Sequence, residues 1–308
     1  MNIVILDRAS LGFDIDVSIF NKFGNVKAYD TTKESETKER IKDADIVLTN
    51  KVIIGKNEID NSKVKLICIT ATGMNNVDLE YSKQKNIVVK NVAGYSTSSV
   101  VQVGFSMIFY FVQKLNYYKN YVDEGNWQKS NLFTHIDKPF YELDKKRVGI
   151  IGLGEIGRNF ANKAKAFDCE VVYYSTSGKN SNNEYKSVSL DELLKTSDII
   201  SIHAPLNEQT ANLLNYENMK NLKNGAILLN LGRGGIINET DLAKIIDEKE
   251  IFCGIDVVSK EPILESNPLL KVKNKERLVL TPHIGWASIE ARTRLVQMVA
   301  KNIEEFLK

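Results

Sequence analysis

Apolar and polar positions alternate in blocks along this 308-residue chain. The runs NIVIL (2–6), VKAY (26–29), DIVLT (45–49), KLICI (65–69) and NIVVK (86–90) are short, rich in β-branched residues and bounded by polar or turn residues, so they read as strands. Polar stretches of helical character, such as KESETKERIKDA, lie between them. Strand–helix alternation predicts parallel strands joined by right-handed crossovers. The alternation restarts near Lys145 at higher apolar density, with RVGII (147–151), EVVYY (170–174), DIISIH (198–203), AILLNL (226–231), CGIDVV (253–258) and RLVLT (277–281). These runs lack in/out alternation, as expected of strands covered by helices on both faces.

The intervening segments carry helix signals. In EIGRNFANKAKAF, Ile156, Phe160, Ala164 and Phe167 fall on one face. NETDLAKIIDE has Asn238 as a candidate N-cap and Asp241 in its first turn. The last segment, SIEARTRLVQMVAKNIEEFLK, is one amphipathic helix. The most apolar stretch, SSVVQVGFSMIFYFVQKL (98–115), is shorter than the roughly 20 residues of a membrane span and carries Gln102 and Ser106, so it predicts a buried helix. Segment 124–142 has no periodicity and predicts a long excursion that reaches another subunit. No solenoid-type repeat and no low-complexity linker is present. The length favours two domains.

Composition narrows the class. Apolar residues are 43% and charged residues 26%, an ordinary globular balance. A formal net charge of +2 gives no electrostatic case for nucleic acid or an acidic membrane surface. Cys68, Cys169 and Cys253 lie far apart in or beside apolar runs, without metal-ligand spacing, and predict buried reduced thiols. The N-terminal MNIVILDRAS reaches Asp7 and Arg8 too soon for a signal peptide. A cytoplasmic protein is the expectation.

The strand RVGII runs straight into GLGEIGRNF, where Gly152, Gly154 and Gly157 match G-x-G-x-x-G. The first glycine permits the tight turn, the second admits a pyrophosphate close to the backbone, and the third lets helix and strand pack. The helix N-terminus then offers free N–H groups to the phosphates. This context predicts a dinucleotide, NAD(H) or NADP(H). An acid at the end of the next strand would hold the adenosine ribose. VVYYSTSGKN has Ser175 there, followed by Thr176, Ser177 and Lys179. A carboxylate would repel a 2′-phosphate, whereas hydroxyls and an ammonium would not, so the expectation leans slightly to NADP(H). The alternative is a solvated turn.

Candidate chemistry collects at strand ends. His135 lies in the excursion and reads as surface or interface. His203 ends DIISIH and reads as lining the cofactor crevice, or packing there, without chemistry. His283 follows the last strand in TPHIGWAS, at the carboxyl edge where open α/β sheets bind ligands. NLGRGG places Arg233 between glycines after a strand, as an ion-pair partner or a bidentate carboxylate clamp. GIDVVSKEP adds Asp256 and Glu261. Such a set suits ketoacid reduction. Hydride from a nicotinamide attacks the carbonyl carbon, and a histidine donates the proton to the oxygen. A carboxylate orients that ring and stabilises its imidazolium, while an arginine binds the substrate carboxylate and polarises the carbonyl.

The stretches ITATGMNNVDL, VAGYSTSSVVQ, IIGLGEIGR, HAPLNEQT, LNLGRGGIINE, IDVVSKEP and TPHIGWAS carry a resemblance over nearly the whole chain. The sequence resembles the D-isomer-specific 2-hydroxyacid dehydrogenases, most of all their glycerate dehydrogenase (hydroxypyruvate reductase) branch. The resemblance implies two doubly wound parallel-sheet α/β domains with the active site in the cleft between them. A flavodoxin-like substrate domain would span 1–97 plus 286–308, and a Rossmann nucleotide-binding domain 98–285. It implies a triad of Arg233, Glu261 and His283, with Glu261 pairing to His283. It places Asp256 at the nicotinamide carboxamide and the backbone of Gly73 and Met74, with Arg233, at the substrate carboxylate. Thr72 would join that loop, and Lys51 would line the mouth. Glu155 and Ile156 would extend the phosphate site. Ala204, Pro205 and Thr210 after His203, Leu231 and Gly232 before Arg233, and Gly285 would complete the cofactor contacts. No metal is implied. A homodimer through the nucleotide domain is implied, with Trp127 reaching the partner.

Departures from the family pattern sharpen this. Gln102–Val103 stands where the family often has Gln-His or Glu-His. Glu261 in place of glutamine argues against the formate dehydrogenase branch, and an end at 308 leaves no room for the regulatory domain of many phosphoglycerate dehydrogenases. The expected activity is reduction of a small 2-ketoacid, hydroxypyruvate or glyoxylate, to D-glycerate or glycolate. A D-lactate-type or bulkier-ketoacid reductase is the alternative within the class, and a dinucleotide-sensing corepressor the alternative outside it.

Overall fold

The computed structural model describes residues 1–179 and 183–308. Its strands are β1 (Asn2–Ile5), β2 (Asn25–Ala28), β3 (Ile46–Thr49), β4 (Leu66–Ile69), β5 (Val88–Lys90), β6 (Arg147–Ile151), β7 (Glu170–Tyr174), β8 (Lys186–Ser187), β9 (Ile199–Ile202), β10 (Ile227–Asn230), β11 (Phe252–Ile255) and β12 (Leu278–Leu280). Its α-helices are α1 (Glu34–Ile41), α2 (Lys56–Ile59), α3 (Leu79–Gln84), α4 (Thr97–Gln113), α5 (Leu115–Asp123), α6 (Glu155–Lys165), α7 (Leu190–Thr196), α8 (Tyr216–Met219), α9 (Glu239–Glu248) and α10 (Ile289–Phe306). Among the described residues, no helix is long and apolar enough to cross a membrane.

The chain divides into two compact units, Met1–Ser96 with Trp286–Lys308, and Thr97–Gly285. The first holds a parallel five-stranded sheet in the order β2-β1-β3-β4-β5. Successive side chains of a strand enter opposite faces, and both faces are apolar: Ile3, Ile5, Ile46, Leu48 and Leu66 enter one core, Val4, Leu6, Val47, Ile67 and Ile69 the other. Helix α10 buries Ala291, Leu295, Val296, Val299, Ala300 and Ile303 in the first of these cores, which ties the C-terminal segment to the N-terminal sheet. The second unit holds a parallel seven-stranded sheet in the order β12-β11-β10-β9-β6-β7-β8, also with an apolar core on each face. The architecture is the doubly wound α/β class that the block alternation predicts.

Several boundaries differ from the sequence expectation. CGIDVV is a strand only to Ile255, so Asp256 sits in the loop that follows. NIVVK enters the sheet at Val88, because Asn86 takes a left-handed turn (φ 57°). The exposed edge strand β8 has two residues and no apolar signal. Helix α5 follows α4 after a break at Lys114 (φ 53°). Asn238 caps α9 as expected, accepting from Thr240 N and Asp241 N at 3.1 Å each.

His135, read in sequence as surface or interface, is half-buried. Its side chain is only 14% exposed, and the ring stacks on Tyr121 with centroids 3.6 Å apart. Tyr117 Oη lies 2.8 Å from its Nε2, and Asp137 Oδ2 lies 3.8 Å from its Nδ1. Aromatic residues distant in sequence thus enclose an imidazole that no local pattern marks as buried. The three cysteines are free and buried, and burial pushes the Cys68 thiol up to about 12 and Cys169 to about 11. Such thiols are inert near neutral pH.

Candidate active site

The strand order of the second unit lays the candidate residues along one sheet edge. At the carboxyl ends of β12, β11, β10, β9, β6 and β7 come His283, Asp256, Arg233, His203, Gly152 and Ser175 in that spatial sequence. Strands are about 4.8 Å apart, so His283 and Ser175 are separated by roughly 24 Å across the sheet. β7 and β8 continue on one side of β6 while β9 to β12 continue on the other. The β6/β9 junction is therefore the topological switch point where such sheets bind ligands.

The glycine loop has the local geometry its sequence requires. Gly152 has φ +91°, and a Cβ there would lie 2.8 Å from Ala204 N. Its own N–H donates to the Tyr174 carbonyl at 3.1 Å. A Cβ on Gly157 would lie 2.3 Å from the Gly152 carbonyl oxygen, so helix α6 and strand β6 meet at that point. Gly154 differs, because a Cβ there would meet nothing within 4 Å. It precedes α6 and leaves open space before the free N–H groups of the first turn. Thr97 Oγ1 donates to Glu155 Oε1 at 2.7 Å, and Ile156 packs against the core. The blocked first and third glycines and the open second one fit a dinucleotide pyrophosphate.

After β7, Ser175 O accepts Gly178 N at 3.3 Å and Ser177 Oγ accepts Lys179 N at 3.3 Å, a local turn without an acid. Ser175 and Thr176 are half-buried, and Ser177 and Lys179 are exposed. Asn180, the last residue of the stretch singled out in the sequence, lies outside the described residues.

The loop after β9 is more closed than expected. His203 Nε2 lies 2.9 Å from Ser201 Oγ, while Nδ1 is sealed from solvent with no partner among the described residues. Burial pushes its pKa down to about 3, so near neutral pH the ring is uncharged. Thr210, expected among the cofactor contacts, is fully buried. Its hydroxyl donates to the Pro205 carbonyl at 2.6 Å and accepts Asn207 N at 2.8 Å. Its side chain holds the 205–210 loop and is not available to a ligand, which corrects the sequence expectation. Pro205 is exposed, and Ala204 packs on the glycine loop.

The remaining candidate residues lie in the loops after the next three strands. His283 Nδ1 is 2.7 Å from Glu261 Oε2, with the two side chains 26% and 33% exposed. Glu261 Oε1 also accepts Val258 N at 3.2 Å. His283 has φ +54°, a strained left-handed geometry for a non-glycine residue, and its N–H donates to the Asp256 carbonyl at 2.9 Å. The Asp256 carboxylate is buried and accepts Thr281 Oγ1 at 2.6 Å, and Ile284 N and Gly285 N at 2.8 Å each. Asp256 therefore shapes the turn that presents His283, and the Gly285 amide is used by that turn. Arg233 is exposed, and its Nη1 donates to the Gly232 carbonyl at 2.9 Å. No carboxylate among the described residues pairs with its guanidinium. That leaves it available to an anion. Asn230, absent from the sequence expectation, is buried and braces this loop through Arg233 O (2.9 Å) and Gly232 N (3.2 Å). Leu231 is buried in the core, so only its backbone is available at the site.

The first unit gathers its own residues at the carboxyl ends of β3 and β4. Lys51 is exposed, and its N–H donates to Asp7 Oδ2 at 2.8 Å, beside Asn50 N at 2.9 Å. Burial pushes the Asp7 carboxyl above its ordinary value, and these backbone donors oppose the shift. Thr72 Oγ1 donates to the Val92 carbonyl at 2.9 Å, which fixes the loop carrying Gly73 and Met74. Asp7 reads in sequence only as a charge that interrupts the first apolar run, so its bracing role was not legible.

Comparisons with known proteins place the chain in a family. Residues 105–285 match the model of the D-isomer specific 2-hydroxyacid dehydrogenase NAD binding domain. The chain is 38% identical to a hydroxypyruvate reductase of Blautia hydrogenotrophica, over 100% of this chain and 97% of that one. It is 33% identical to a glycerate dehydrogenase of Methylorubrum extorquens, over 99% and 96% of the two chains. Among solved structures, an acyclic imino acid reductase in complex with NADPH and D-Arg superimposes with a TM-score of 0.85 at 28% identity, covering 100% of this chain and 97% of that one.

Proposed function

The chain belongs to the D-isomer-specific 2-hydroxyacid dehydrogenases, and on that premise we propose that it reduces hydroxypyruvate and glyoxylate to D-glycerate and glycolate. The observation that carries the reading is the His283–Glu261 pair at 2.7 Å, on the same sheet edge as a guanidinium with no acid partner among the described residues. The two named relatives act on the two ends of one interconversion, hydroxypyruvate and glycerate.

The cofactor is a nicotinamide dinucleotide, which when bound supplies the hydride to the carbonyl carbon. The chain's own residues do the rest. Arg233 binds the substrate carboxylate and polarises the carbonyl. His283 donates its Nε2 proton to the carbonyl oxygen as the hydride arrives, and is left neutral. Glu261 holds the opposite ring nitrogen, which fixes ring orientation. Gly154 admits the pyrophosphate to the loop that Gly152 and Gly157 shape, and Asp256 holds the turn beside the nicotinamide. The neutral His203 takes no part in proton transfer.

We infer that NADPH is accepted beside NADH, because Ser175–Lys179 offers hydroxyls and an ammonium where an acid would repel a 2′-phosphate. We infer a homodimer through the second unit. Support comes from the 132–141 segment, where Leu132, Phe133, Ile136 and Phe140 are 69%, 90%, 71% and 53% exposed. A cytoplasmic setting fits the three reduced thiols.

The test is a panel of hydroxypyruvate, glyoxylate, pyruvate and phenylpyruvate, each with NADH and with NADPH. Turnover highest with the first two is the expected result. Oxidation of neither cofactor with any short 2-ketoacid would replace the enzyme reading with a dinucleotide-sensing one. Sedimentation at micromolar concentration checks the dimer, and a monomer there sinks it.

A further inference from the structure

The carboxylate of Glu261 has to be held in place, yet the chain around it has no secondary structure: residues 259–266 are exposed and belong to neither helix nor strand. What fixes this loop is a second carboxylate. Glu239 is the first residue of α9, and its Oε1 accepts Ser259 N at 2.5 Å. Its Oε2 accepts Ser259 Oγ at 3.0 Å and Asn267 Nδ2 at 2.7 Å. Ser259 and Asn267 are the two feet of the loop, and Glu261 lies between them. Asn267 is itself buried and caps the following turn through Leu269 N at 2.9 Å.

The base of this clamp is rigid. Leu242, Ile245 and Ile246 bury α9 in the core, and Asn238 caps its first turn. From Ser259 the constraint passes to its neighbour Val258, whose N–H donates to Glu261 Oε1, leaving Oε2 for His283. The same segment supports the arginine loop, since a Cβ on Gly234 would lie 2.0 Å from Val258 C and O.

We propose that Glu239 is a positioning residue for proton transfer: by pinning both feet of the 259–267 loop it aims Glu261 at His283. The proposal rests on the assignment of Glu261 and His283 as the proton-transfer pair. An acid at the first position of a helix also favours the helix dipole, and that role alone would leave catalysis untouched except through stability. The geometry distinguishes the two, because the Glu239 oxygens are engaged by Ser259 and Asn267.

A double-mutant cycle on the full-length protein tests it, with Glu239→Ala, Glu261→Gln and the pair, assayed with hydroxypyruvate and the better reduced cofactor. Glu239→Ala is expected to lower kcat by about 10- to 100-fold, as for the loss of a group orienting a catalytic side chain. The cofactor KM should stay within about twofold, and Glu239→Ala added to Glu261→Gln should cost less than about twofold more, because coupled residues are not additive. An equal loss in both backgrounds, or an unchanged kcat in folded Glu239→Ala, overturns the proposal. If Glu239→Ala does not fold, Glu239→Gln, which keeps one acceptor oxygen, enters the same cycle under the same criteria. A wild-type kcat in Glu261→Gln alone would remove the assignment beneath the proposal and the proposal with it, an outcome distinct from additivity.

Discussion

Asp256→Asn probes the turn that presents His283 while changing little volume. In the native turn Oδ1 accepts Thr281 Oγ1 and Ile284 N, and Oδ2 accepts Gly285 N at 2.8 Å. The amide oxygen can keep the first two partners. Its NH₂ group must then face the Gly285 N–H, donor against donor, at a residue that is itself buried. A hydrogen bond to a charged group contributes about 1.5–3 kcal/mol, and an orphaned buried donor costs a similar amount, so the expected loss is about 2–3 kcal/mol. For a unit of this size that is a fall of roughly 4–12 °C in Tm. His283 already occupies a left-handed geometry that costs about 1–3 kcal/mol and persists only while its surroundings over-determine it, so loosening the turn should also lower kcat. Thermal unfolding gives the first quantity, and hydrogen exchange over residues 281–285 localises it, with faster exchange expected at Ile284 and Gly285. A Tm within about 1 °C of wild type together with unchanged exchange would refute the bracing role, because neither outcome is compatible with a lost buried hydrogen bond.

Other outcomes follow from the same geometry. His283→Ala should reduce kcat by roughly 10²–10⁴-fold, and a near-wild-type rate would remove it as proton donor. Ser175→Asp should lower kcat/KM for NADPH at least about tenfold while sparing NADH, since a new carboxylate repels a 2′-phosphate; equal effects on both cofactors would return the turn to a solvated loop. Gly157→Ala should destabilise the fold, with its Cβ 2.3 Å from a backbone oxygen, whereas Gly154→Ala should fold normally and weaken dinucleotide binding in a fluorescence titration; the reverse ranking would be fatal to the cradle. His203 titrates at about 3 when folded and near 6.5 when unfolded, so the unfolded chain takes up the proton first. Its contribution to stability is complete above pH 6.5 and is lost as pH falls towards 3. His203→Gln should flatten this acid limb relative to wild type, and an unchanged slope in pH-dependent urea unfolding would count against the buried neutral ring.

The reach of the sequence can be judged residue by residue. Arg233, Glu261, His283, Gly152 and Gly154 could be singled out as candidates because each follows an apolar strand, in a loop whose residue types have few structural uses, and Gly157 because it completes the glycine motif in the first turn of α6. A parallel sheet collects all such loops on one edge, so locating the strands suffices to group the residues. Strand ends were less legible. Apolar character persists past the last ladder bond, which is why CGIDVV was expected to run three residues beyond Ile255. Braces were least legible. Asp7, Asn230 and Thr210 act through backbone groups of loops, and their side chains carry no pattern that distinguishes bracing from solvent exposure. Thr210 was even assigned to the ligand, since motif position says which loop a residue joins but not which way its hydroxyl turns.

Glu239 shows why this division follows from physics. It lies 20 residues from Ser259 and 28 from Asn267, and in sequence it is an ordinary acid beside a helix cap. A catalytic residue must present its chemistry to a small molecule, which restricts both its type and its place at a strand end. A brace must only reach a particular N–H, and any acceptor of suitable length on a rigid element can do so. The constraint therefore lies in the distance between α9 and the 259–267 loop, a property of packing. Substitutions that spare the triad but disturb such distances should consequently lower kcat while leaving cofactor KM unchanged, and the Glu239 cycle measures that separation directly.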